Sequence, residues 1–97
     1  MTGFTVRVEL HGADGKEYET LHQSMARYGF RRTIRGVDAR GATHDYVLPT
    51  AEYDHQSTST SAEVRDLAKR IADSVRTGAW VLVTQVADRA WSTHAIA

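Results

Sequence analysis

The chain has 97 residues, 41% hydrophobic and 25% charged, with no cysteine, a composition that suits one modest globular core. The missing cysteines exclude a disulfide framework and a thiolate zinc site. No apolar run reaches bilayer length and MTGFTVRVEL has no signal-peptide pattern, so the expectation is a soluble, cytoplasmic protein with no membrane partner.

FTVRVEL, residues 4–10, alternates: Phe4, Val6, Val8 and Leu10 face one way, Thr5, Arg7 and Glu9 the other. That predicts a half-buried first strand. HGAD is a turn with Asp14 as candidate N-cap. Tyr18, Leu21, Met25 and Tyr28 then recur at helical spacing, and Gly29 stands where a left-handed C-cap belongs. FRRTIR, residues 30–35, reads as a second strand, GVDARG as a turn and ATHDYVL as a third strand. Pro49 has no N–H and ends that pairing, so 49 to about 60 reads as a long loop. Thr60 to Glu63 fits a capping box. It starts a second helix with Val64, Leu67, Ala68, Ile71, Ala72 and Val75 as its apolar stripe and Gly78 as its stop. AWVLVTQVA is the fourth strand. The domain is read as 1–90, with a tail over 91–97.

The order β-α-β-β-α-β predicts an α+β, ferredoxin-like sandwich. In that fold two helices cover one face of a four-stranded antiparallel sheet of order 4-1-3-2.

Twelve basic and 12 acidic residues cancel, which argues against indiscriminate coating of nucleic acid. The distribution is uneven. Ten of the cations are arginine; five lie between Arg27 and Arg40 against Asp38 alone, a local +4. In the predicted topology Arg27, Arg31 and Arg32 lie at the same end of the sheet as the loop residues Glu52, Tyr53 and His55. Guanidinium groups can hold a phosphodiester, a histidine or glutamate can move a ribose hydroxyl proton, and a tyrosine can stack on a base. Those are the parts of a metal-independent ribonuclease. The same residues also fit an ion-paired surface connector. His11 and Asp14, near Glu9, could bind a divalent cation, but no metal-ligand spacing repeats, and neither a metal site nor a cofactor is called for.

Four segments carry a resemblance: FTVRVELHGA, YETLHQSMARYGFRRTI, YVLPTAEYD and VLVTQVADRAW, in order across residues 4 to 91. Together they resemble the bacterial family of GhoS-type endoribonuclease antitoxins. The resemblance implies a ferredoxin-like fold similar to small CRISPR-associated nucleases, and RNA as the substrate class. Those nucleases carry a carboxylate at the end of the first strand, where this chain has Glu9 and then His11. The first functional expectation is therefore an RNA-binding or RNA-cleaving protein. Arg27, Arg31, Arg32 and Arg35 would hold phosphates, and Glu52, Tyr53 and His55 would be the catalytic or stacking set. The alternative is a non-catalytic protein-binding inhibitor or adaptor. A continuous positive groove favours RNA; mixed charge with an apolar patch favours a protein partner.

The fourth strand carries apolar residues on both faces: Trp80, Leu82 and Val86 on one, Val81 and Val83 on the other. As an edge strand it invites pairing. Either the tail, with Trp91 and Ile96, folds over it, or two chains join there. A homodimer through this strand is the expectation.

Overall fold

A computed structural model describes residues 1–96. Its elements are β1 (Thr2–Glu9), α1 (Gly15–Arg27), β2 (Thr33–Val37), β3 (Thr43–Val47), β4 (Glu52–Ser57), α2 (Ser61–Val75) and β5 (Trp80–Gln85). Among the described residues no helix is long and apolar enough to cross a membrane.

Both helices start where their side chains satisfy the first free N–H groups. Asp14 accepts from the Glu17 backbone and Thr60 from the Glu63 backbone, and each glutamate reaches back to its cap residue. The chain leaves α1 through Gly29, at φ 83°, a left-handed conformation that a side chain would strain. The alternation in β1 is real: Phe4, Val6 and Val8 are buried while Arg7 and Glu9 are exposed. Leu21 and Met25 of α1 and Val64, Ala68, Ile71 and Ala72 of α2 close over that face of β1. Phe30 and Tyr53 complete the core.

The predicted sheet is not found. There are two sheets: three strands in the order β4-β1-β5, and a separate hairpin of β2 with β3. All pairings are antiparallel. The expected ferredoxin-like sandwich with one four-stranded sheet of order 4-1-3-2 is therefore corrected on two points. The strand beside β1 is residues 52–57, in the stretch expected to be a loop, and the strand over 43–47 lies outside the main sheet.

The reason lies at Arg31. Its N–H and C=O exchange 2.8 Å hydrogen bonds with the C=O and N–H of Asp54, so the chain arrives beside β4 as a fourth strand would. Continuing that register would set Ile34, Arg35 and Gly36 against Ala51, Thr50 and Pro49. Those three residues form a turn: Glu52 donates to the Pro49 carbonyl, and Ala51 has φ 66°. Pro49 has no N–H to offer. Beyond Thr33, β2 has no strand to pair with on that side. It pairs with β3 instead, from Thr33–Val47 to Val37–Thr43.

The described part of the tail lies away from β5. After Val86 donates to Gly3, Arg89 crosses beneath the sheet to Thr5 and Asp54. Trp91 then lies on Gly36 of β2. Val47 donates to His94 and Ile96 donates to Asp45, which lays the tail along β3. The last tail residue, Ala97, lies outside the described residues.

Candidate functional site

The expected catalytic set is divided by the pleat of β4. Successive strand residues point to opposite faces. Tyr53 and His55 point into the core; Glu52 and Asp54 point to the outer face of the sheet, the one without helices. Tyr53 has no exposure, and its hydroxyl hydrogen-bonds Nδ1 of His22 on α1. Burial raises the phenol above its ordinary value of 10 although nearby Arg32 pulls it down, so it keeps its proton at neutral pH. His22 is shifted the other way. Burial first, then the charge of Arg32, lowers its pKa below 6.5, against a weaker pull from Glu19. A neutral ring accepts a hydrogen bond from the Tyr53 hydroxyl at Nδ1. His55, 7% exposed, stacks on Phe30 at 4.1 Å and hydrogen-bonds the Gly29 carbonyl through Nδ1. Glu52 is half-buried and stands opposite Arg7 of β1. The three residues expected on one solvent-facing loop thus lie on a strand and do not converge on a common accessible surface.

The arginines separate too. Arg27 flanks a shallow groove with Tyr28 and Arg70 at the end of α1. Arg32 is half-buried on the core side, with its Nε buried and without a hydrogen-bond partner. Arg31 and Arg35 share a second groove with Arg89, but Asp45 and Asp54 line it as well. Arg35 pairs with Asp45 at 3.2 Å and Arg89 with Asp54 at 2.8 Å. Arg31 exchanges backbone hydrogen bonds with Asp54, and the charge of Arg32 is felt at Tyr53. The continuous run of positive charge does not survive folding.

A different surface stands open. On the outer face, Arg7 of β1 has Leu82 of β5 on one side and Glu52 of β4 on the other; Glu9 has Trp80 beside it. Trp80 is 68% exposed and Leu82 62%. With Arg7, Glu9, Thr50 and Ala51 they line one concave surface. Trp80 is positioned from the side: the His11 ring meets it edge-on at 4.4 Å between centroids. The turn carrying His11 is held by Arg76, whose Nε donates to the His11 carbonyl at 2.6 Å and whose Nη1 pairs with Glu17 at 3.0 Å. Arg89 covers only the far end of this face, at Thr5 and Asp54. Trp80 and Leu82 are legible in the sequence as apolar edge residues; the union of Trp80 with Arg7, Glu9 and Thr50 is not, because it depends on the β1–β5 register.

Among the described residues no group of three histidine, aspartate or glutamate side chains is arranged to hold a metal ion. No family model, no curated protein and no solved structure matches the chain.

Proposed function

We propose that this chain is a non-catalytic protein-binding module that docks its partner on the outer face of the β4-β1-β5 sheet. The observation that carries the reading is Trp80 and Leu82, exposed on the same face of one strand and flanked by Arg7 and Glu9. An exposed tryptophan with an aliphatic neighbour and a rim of both charges is the composition of a protein interface centre. A phosphate-binding surface would be uniformly positive, and this one carries Glu9 and Glu52 beside Arg7. Placing the contact on a strand rather than a loop fixes the tryptophan before binding and limits the entropy lost on association.

The test is photo-crosslinking from position 50, which lines the same concavity without belonging to β5. A photoreactive residue there yields a discrete protein adduct in cell extract. Trp80→Ser combined with Leu82→Ser abolishes it. Absence of any adduct overturns the reading.

RNA binding is the second reading, supported by Arg31, Arg35 and Arg89 around one groove and by the resemblance to GhoS-type antitoxins. It ranks behind because phosphate must compete with Asp45 and Asp54, which already hold two of the three guanidinium groups. A nuclease-sensitive adduct from position 50, or RNA affinity whose salt dependence flattens in Arg31→Ala, would put it first.

A further inference from the structure

The outer face of β5 is one matter and its edge is another. Val86 donates its N–H to Gly3, the residue directly opposite it in the β1–β5 register. In an antiparallel ladder, residues alternate between pairs that exchange hydrogen bonds and pairs that do not. Thr84, Leu82 and Trp80 therefore spend their backbone groups on β1, and Val81, Val83 and Gln85 turn theirs outward. The free edge has defined ends. Ala79, the next residue in the outward series, is already satisfied: its N–H goes to Asp73 at 3.1 Å and its carbonyl accepts from Lys69 at 2.7 Å. Past Gln85 the chain turns under the sheet toward Asp54. The tail, one of the two ways to cover this edge, is on β3 instead.

We infer that two copies of this chain pair antiparallel through β5 about a two-fold axis at Val83. Three outward residues form a self-complementary set only if the middle one is the centre. In that register Val83 meets Val83 of the second copy and Val81 meets its Gln85, so every free N–H finds a carbonyl and every free carbonyl an N–H. A register centred at Leu82 would set Gln85 against Ala79, whose groups are taken. Side chains agree with the Val83 centre. Leu82 falls opposite Thr84 and Trp80 opposite Val86, apolar or methyl-bearing partners on the same face. The result is one six-stranded sheet, β4-β1-β5 continued by β5-β1-β4 of the second copy.

Light scattering during size-exclusion chromatography at tens of micromolar tests the register, with circular dichroism confirming that each variant is folded. Wild type elutes at twice the 10.8 kDa chain mass. Leu82→Lys with Thr84→Lys sets like charges opposite each other twice and yields a single-chain mass. Leu82→Lys with Thr84→Glu sets opposite charges there and keeps the doubled mass. A wild-type mass of one chain overturns the inference, as does a doubled mass in the two-lysine variant or a single-chain mass in the lysine–glutamate variant.

Discussion

The two edges of the central sheet invert the usual relation between residue type and burial. β4, written EYDHQS, looks like a wet connector, yet Tyr53, Asp54 and His55 are all buried. β5, written WVLVTQ, looks like a core strand, yet its two largest apolar residues, Trp80 and Leu82, are exposed. The difference lies in what covers each edge. β4 has Arg31 paired to its backbone, Arg89 laid over Asp54, and α1 supplying His22 to Tyr53. Among the described residues β5 has only the His11 ring against Trp80 on its outer face and no backbone partner at its free edge. Polar side chains are tolerated inside where each finds a partner. Apolar side chains remain outside where no element of the chain reaches them, and there they become a binding surface.

The largest test of this contrast compares Tyr53→Ala with Trp80→Ser. Tyr53 is wholly enclosed, and its truncation costs about 3–5 kcal/mol in urea unfolding. Trp80→Ser, measured at concentrations where the chain is single, stays within about 0.5 kcal/mol of wild type. Equal losses in the two would mean that Trp80 is held by the fold rather than presented by it.

Arg89→Ala probes the cover over β4. The Arg89 and Asp54 side chains are 26% and 12% exposed, so the pair is mostly buried and the deserted carboxylate is left in a poor environment. The expected loss is about 2 kcal/mol, below the roughly 3–5 of a fully enclosed pair because Arg89 keeps some solvent contact. Adding Asp54→Asn to Arg89→Ala should recover part of it; no recovery would assign the effect to packing by the arginine stem.

Gly36→Ala tests how the tail is kept on the hairpin and off β5. A Cβ at Gly36 would stand 2.6 Å from Cζ2 of Trp91 and 3.2 Å from Tyr46. The indole must move, at a cost of about 1–3 kcal/mol to the packed arrangement. In a Trp80→Phe background Trp91 is the sole tryptophan, and its emission shifts to the red when the ring is released. An unshifted spectrum would show that the contact is loose.

The smallest effect is in pH. The folded His22 pKa lies below the unfolded 6.5, so the unfolded chain binds the extra proton. Stability from this group is fully present above pH 6.5 and is lost as pH falls through 6.5 toward the folded value. The slope there cannot exceed one proton, about 1.4 kcal/mol per pH unit. His22→Gln keeps a hydrogen-bonding group for Tyr53 and removes that slope; an unchanged acid profile would place the titration elsewhere.

Local signals carried much of the architecture. The Asp14 and Thr60 capping boxes mark both helix starts because caps act within three residues, and the β1 alternation reads its burial directly. Where the reading failed, the period was present but disguised. Ala51, Tyr53 and His55 alternate toward the core, yet Glu52 and Asp54 between them and a histidine in the set look like loop composition. The arginine cluster failed for a different reason: Arg31, Arg32 and Arg35 are close in sequence, but a strand sends neighbours to opposite faces, and two aspartates distant in sequence neutralise Arg35 and Arg89.

By itself the sequence determined the two helices, the first and last strands and the apolar character of WVLVTQ, because these depend on caps and on side-chain periods within one segment. The tertiary structure decided which strand lies beside β1, where the tail goes, and hence which edge stays free. Those choices depend on backbone partners far apart in the chain. Arg31 meeting Asp54, Pro49 withholding an N–H, and Arg89 crossing to Asp54 are pairings that no local pattern encodes. The same pairings leave β5 uncovered and place Trp80 beside Arg7 and Glu9.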